Sequence, residues 1–193
     1  MSSTPRIPFQ IFRSNNHYLS RIEKLNGQYE HFRTNVVQKE CIKKLKSWYP
    51  NGKAYLTQSA TAGLMMAADS IEFAPGDEII VPSFTFVSAL NPFVRRGVQL
   101  VFVPVNKKTF GPDLDHVRQA ITHRTKAIMI MHYGGVPCAS HQEIIALRDL
   151  AGSQHIALIE DAATCFGSMI EGVPLGSMGD YGVISFDTVS YTH

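Results

Sequence analysis

The sequence predicts an α/β fold, a mostly parallel sheet sandwiched by helices. Short apolar runs alternate with stretches of helical period along most of the chain. Several of those runs, such as "EIIV", "IMIM" and "IALI", are continuous rather than alternating, as expected of strands covered on both faces. The chain has 193 residues, 45% of them hydrophobic and 18% charged, enough for one globular domain with a sizeable core.

Residues 1 to about 33 are polar and irregular, with Pro5, Pro8, Asn15-Asn16 and Gly27 interrupting any period, and read as an arm. From Asn35, Val37, Cys41, Leu45 and Trp48 recur at helical spacing until Pro50-Asn51-Gly52 stops the helix. "KAYLTQ" reads as a short strand and "SATAGLMMAADS" as a helix opening on small and hydroxyl residues. After the turn Ala74-Pro75-Gly76, "DEIIVPS" is a strand, "TFVSALNPFVRRG" a helix ending on Gly97, and "QLVFVPV" a strand. "DLDHVRQAI" is a helix capped by Asp113, "KAIMIMH" a strand, and "HQEIIALRDLAGSQ" a helix. "IALIEDA" and "YGVISFD" complete the strands. Ligands of such sheets bind at the carboxyl ends of strands, here after Gln58, Val81, His132, Ile159 and Ile184.

Bulk chemistry excludes several functions. A net charge of +2 argues against a nucleic-acid or membrane-surface partner, and "KKLK" (43–46) reads as a solvated helix face. Cys41, Cys138 and Cys165 lie far apart with no C-x-x-C pair, so neither a metal site nor a disulfide framework is expected, and a reducing cytoplasm is. No signal peptide or bilayer-spanning stretch is written in the chain.

At the strand ends, "QSATAG" (58–63) opens a helix whose free N–H groups suit an anion, phosphate above all; an ordinary N-cap by Ser59 or Thr61 explains the residues equally simply. In "PSFTF" (82–86), Phe84 and Phe86 are either core residues, the simpler expectation, or a platform for a planar ring. "EDAATCFG" (160–167) ends an apolar strand on two acids that need partners, and a carboxylate there suits a cation such as a protonated pyridine nitrogen. Ser185 adds a hydroxyl near the anion site. "GSMGDYG" (176–182) is no dinucleotide fingerprint, because a strand follows it where a helix should. His132 is the one histidine placed for a pocket, or else a hydrogen-bonded structural residue.

These segments follow one continuous order: "SATAGLMMAA", "PGDEIIVPSFTFVSALN", "GVQLVFVPV", "AITHRTKAIMIMHYGG", "IEDAATCFG", "GSMGDYGVISF". Over roughly residues 50 to 193, this order resembles the large domain of the DegT/DnrJ/StrS family of sugar aminotransferases, pyridoxal-phosphate (PLP) enzymes of fold type I. "PSFTFVSALNPFVRRG" and "HYGGVPC" most resemble members that aminate C4 of a nucleotide-linked 4-keto-6-deoxyhexose. The resemblance implies an arm and helix over residues 1–50, a PLP-binding domain over 51–193, and a smaller C-terminal domain that this sequence does not contain. It further implies a homodimer that takes a nucleotide-sugar substrate and glutamate as amino donor. Thr61, Ala62 and Ser185 match its phosphate ligands, Phe86 the aromatic stacked on the pyridine ring, and Asp161 the carboxylate on the ring nitrogen. Thr164 stands where the family usually has a glutamine near the ring hydroxyl.

The family's Schiff-base lysine belongs between Val189 and Ser190, and the sequence there reads "ISFDTVSYTH" with no lysine. Three explanations compete: a lysine masked by its covalent cofactor, which is the favoured one, a mutated or deleted lysine, or a relative of the dehydratases that use histidine instead. His193 lies too far along to be that histidine. The alternatives to a transaminase are therefore a PLP-dependent sugar dehydratase and a non-catalytic relative. An ordinary nucleotide-binding doubly wound domain is disfavoured by the lack of a Gly-rich loop after the first strand.

Overall fold

The computed structural model describes residues 36–186. The expected arm and the stretch between Val189 and Ser190 lie outside the described residues. The elements are α1 (Val36–Trp48), α2 (Ala60–Asp69), β1 (Glu78–Pro82), α3 (Val87–Val94), β2 (Gln99–Val103), α4 (Leu114–Ala120), β3 (Thr125–Met131), α5 (His141–Ser153), β4 (Ala157–Asp161), β5 (Met169–Ile170), β6 (Val173–Pro174) and β7 (Tyr181–Val183).

Five strands form one sheet in the order β2-β1-β3-β4-β7, every neighbouring pair parallel. Side chains alternate across a strand, so each strand feeds two cores. On one face Ile80, Ile128, Ile130 and Leu158 pack with Val117 of α4 and Ile144, Leu147 and Ala151 of α5. On the other, Ile79, Val81, Ala127, Met129, Ile159 and Val183 pack with Leu64 and Ala68 of α2 and Ala89, Leu90 and Phe93 of α3. This is the α/β sandwich expected from the continuous apolar runs.

The capping signal expected at Asp113 holds at residue level, and the structure adds a second cap at Ser140. Asp113 accepts hydrogen bonds from the N–H groups of Asp115 and His116 at the start of α4. Ser140 and Glu143 make a reciprocal capping box on α5.

Three expectations change. Lys53–Gln58 is irregular rather than a strand, because no strand among the described residues pairs with it. The helix expected from Thr85 begins at Val87, and Ser83–Phe86 forms the loop entering it. A hairpin not expected from the sequence joins β5 and β6 through Glu171 and Gly172, both at positive φ (50° and 80°), the geometry of a type I′ turn.

Candidate active site

The β4 strand ends on two acids, and alternation sends them to opposite faces of the sheet. Glu160 is fully buried and fully partnered. Its Oε1 accepts from the N–H groups of Met178 and Gly179, both at 2.6 Å, and its Oε2 from Gly176 N–H and His132 Nε2, both at 3.0 Å. His132 accepts Cys138 N–H on Nδ1 at 3.0 Å, which leaves the ring proton on Nε2 to face Glu160. His132 is therefore the structural histidine that the sequence left as one option. The glycines of "GSMGDYG" have their reason here: a Cβ on Gly179 would lie 2.7 Å from the Leu158 carbonyl oxygen. The segment presses against β4 with its amides turned to Glu160.

Asp161, the next residue, faces the other way, between Met131 and Val183 of the neighbouring strands. It too is buried, at 5% exposure, but among the described residues its carboxylate accepts one hydrogen bond, from Ala163 N–H to Oδ1 at 3.1 Å, and forms no ion pair. Burial pushes its carboxyl above the ordinary range, against the lowering effects of the Ala163 N–H and His132. Such a carboxylate has no counter-ion among the described residues, and it lines the large cleft at the carboxyl edge of the sheet.

Thr61, Phe86, Thr164 and Ser185 line the same cleft, so the structure gathers five of the six expected site residues. Ala62 is not in the lining; its N–H is taken by Ser59 Oγ at 3.1 Å, which makes Ser59 the N-cap of α2. Thr61 is therefore not the cap, and its hydroxyl instead meets Ser88 Oγ at 3.1 Å. Gly63 allows α2 to approach the sheet, since a Cβ there would come within 3.1 Å of Val183 Cγ1. Ser185 is buried beyond β7, with its N–H donated to Ala163 O at 3.2 Å.

Phe86 is 59% exposed and Phe84 is 50% exposed, which overturns the simpler expectation that both are core. Phe84 instead packs its ring against Tyr133 and Phe110, with centroids 4.9 and 5.5 Å apart. Thr164 donates its hydroxyl to His132 O at 3.2 Å and accepts Gly134 N–H at 2.9 Å, stitching the loop after β4 to the loop after β3.

Sequence reasoning missed Ser88 and Tyr133. Tyr133 donates its hydroxyl to Phe84 O at 3.1 Å, and burial, then the charge of Asp161, pushes its phenol well above the ordinary range. Ser88 lay in the quoted "PSFTFVSALN", and its place near a helix N-terminus was the available signal. Thr85 Oγ1, also in the cleft lining, is buried without a hydrogen-bond partner among the described residues.

The DegT/DnrJ/EryC1/StrS aminotransferase family matches residues 30–190. The chain belongs to that family. Among individual relatives of this DegT/DnrJ/EryC1/StrS member, dTDP-4-dehydro-2,3,6-trideoxy-D-glucose 4-aminotransferase of Saccharopolyspora spinosa is 37% identical over 68% of the chain and 33% of its own length. GDP-perosamine synthase of Escherichia coli O157:H7 is 34% identical over 69% of the chain and 35% of its own. The chain thus spans about a third of the length of these curated relatives. The PMP form of Spr1654 from Streptococcus pneumoniae superimposes with a TM-score of 0.80 at 26% identity, over 95% of this chain and 49% of that one. Its PLP form matches with a TM-score of 0.69 at 31% identity, over 79% and 42%. No helix among the described residues is long and apolar enough to cross a membrane.

Proposed function

We propose that this family member binds PLP and transfers an amino group from an amino acid, glutamate by resemblance, to the keto carbon of a nucleotide-linked deoxysugar. The observation that carries the proposal is Asp161: a buried carboxylate with one N–H partner and no counter-ion among the described residues, opening on a cleft that also holds the Thr61 and Ser185 hydroxyls and the exposed ring of Phe86. A group with an anionic end, a flat ring and a cationic ring nitrogen fits this donor set, and PLP has all three. Bound there, PLP supplies an electron sink for the carbanion formed at the amino donor.

In this assignment each residue has one task. Asp161 holds the ring nitrogen protonated, at the cost of its own desolvation, which the cation offsets. Thr61 and Ser185 donate to the phosphate at the start of α2, where the helix dipole favours an anion. Phe86 covers one face of the ring and excludes water from it. Thr164 holds the two loops together; with its proton on His132 O, it has only a lone pair left for a ligand. The relatives named above that act on dTDP- and GDP-linked sugars support the substrate class, and a homodimer is the proposed assembly.

One observation favours a second function: Ser185–His193 contains no lysine as written. A chain of that sequence holds the cofactor without covalent attachment and is a non-catalytic relative or a dehydratase. Borohydride reduction followed by peptide mapping across Ser185–His193 separates the two. A cofactor-labelled lysine between Val189 and Ser190 is the expected result. A peptide that reads Val189-Ser190 directly, with no label, overturns the transaminase assignment.

A further inference from the structure

α2 and α3 start at the same edge of the sheet and are tied at both ends. Thr61 meets Ser88 at their N-termini, and Asp69 pairs with Arg96 at their C-termini, each contact spanning 27 residues of sequence. Between these ties Leu64 and Ala68 pack in one cluster with Ala89, Leu90 and Phe93. The lower tie is an ion pair on the protein's surface. The upper tie lies in the cleft and joins two hydroxyls, each with a single proton.

The direction of that one hydrogen bond matters. If Thr61 donates to Ser88, it turns lone pairs toward any anion at the start of α2. If Ser88 donates, the Thr61 proton is free for the anion. A helical threonine also has a competing choice, since its hydroxyl can bond back to a carbonyl three or four residues earlier. In this chain Thr61 makes no such bond among the described residues; its hydroxyl goes to Ser88.

We infer that Ser88 is a positioning residue for the anion site: it donates to Thr61 Oγ1, fixes that side chain's rotamer and directs the Thr61 proton at the bound phosphate. This rests on the PLP assignment above and adds to it a residue from a second helix. Ser88 acts through Thr61 and needs no contact with the ligand.

Equilibrium dialysis of the chain against PLP, and separately against pyridoxal, which lacks the phosphate, tests the inference. Ser88→Ala is expected to raise the PLP dissociation constant about fivefold, one hydrogen bond's worth. It should leave that for pyridoxal unchanged, and Ser88→Thr should restore wild-type binding. In a Thr61→Ala background, Ser88→Ala should add nothing further. Should Ser88→Ala fail to fold by circular dichroism, Ser88→Cys, whose thiol donates weakly, carries the same expectation at smaller size. Equal weakening of PLP and pyridoxal, additive losses in the double variant, or an unchanged PLP constant each overturn the inference while the cofactor assignment stands. A wild-type chain with no preference for PLP over pyridoxal overturns both.

Discussion

Glu160 and Asp161 are adjacent carboxylic residues and both buried, yet the structure treats them oppositely. Glu160 faces the core shared with α4 and α5 and receives four hydrogen bonds from four separate donors. The Asp161 carboxylate faces the cleft and receives one among the described residues. The free energy of burying a carboxylate is recovered within the fold in the first case and left for a ligand to recover in the second. The difference teaches that a buried acid marks a binding site by what it lacks: burial alone would have selected both residues.

The largest effect should come from breaking the saturated side. Glu160→Gln keeps the size of the side chain but offers one oxygen where a carboxylate offers two, and turns an NH₂ toward donors. Two of the four bonds then fail, and the amides of Gly176 to Gly179 lose their anchor. The expected loss is about 3–5 kcal/mol in urea unfolding, the range for breaking a buried charged network by removing one partner. A loss under about 1 kcal/mol would show that the loop is held by its other contacts, such as Asp180 N–H to Leu158 O.

The open side should respond the other way. Asp161→Asn keeps an oxygen for the Ala163 N–H and removes the charge. The folded-state pKa of Asp161 is raised, so its penalty is absent below the unfolded pKa, grows as pH rises above it, and levels off above the folded pKa. The Asn variant should therefore melt higher than wild type near pH 7 without cofactor, and the gap should close as the pH falls into the acid range. Each kcal/mol of penalty removed corresponds to about 2–4 °C. On the proposed function, the same variant should lose about 10²-fold or more in transamination rate. Lower melting together with full activity would place Asp161 among the structural acids, beside Glu160.

The contrast also separates what the sequence discloses from what it hides. The sheet and its sandwiching helices were legible because continuous runs such as "IMIM" and "IALI" have no other comfortable environment. The cap at Asp113 is local chemistry and was read within four residues; the Ser140 cap is equally local and was passed over. The strand expected at Lys53–Gln58 failed because a strand needs a partner, and pairing is a long-range property. The site divides along the same line. Asp161, Phe86, Thr61 and Ser185, named from strand-end positions and the family resemblance, line one cleft. Glu160's role was hidden because its four donors come from residues 16 to 28 positions away in the sequence. Ser88 was hidden because its partner lies 27 residues back. The β5–β6 hairpin was overlooked although Glu171-Gly172 between two apolar pairs is a short-range turn signal.

Thr164 sits between the two acids in kind, and its prediction is the smallest. Its hydroxyl bonds His132 O and Gly134 N–H, so it serves the fold as Glu160 does, from the cleft side where Asp161 lies. Thr164→Val is nearly isosteric and removes both bonds, leaving Gly134 N–H, which is solvent-exposed, to find water. Because water can replace the partner, the cost should fall near the net value of ordinary hydrogen bonds, about 1–2 kcal/mol in all. Thr164→Gln restores an amide of the kind the family carries and tests the ligand side. If Thr164 is purely a stitch, Gln lowers stability by a similar amount and leaves the PLP dissociation constant unchanged. A Gln variant that binds PLP more tightly while losing stability would show that threonine at this position gives up a cofactor contact to join the loops after β3 and β4.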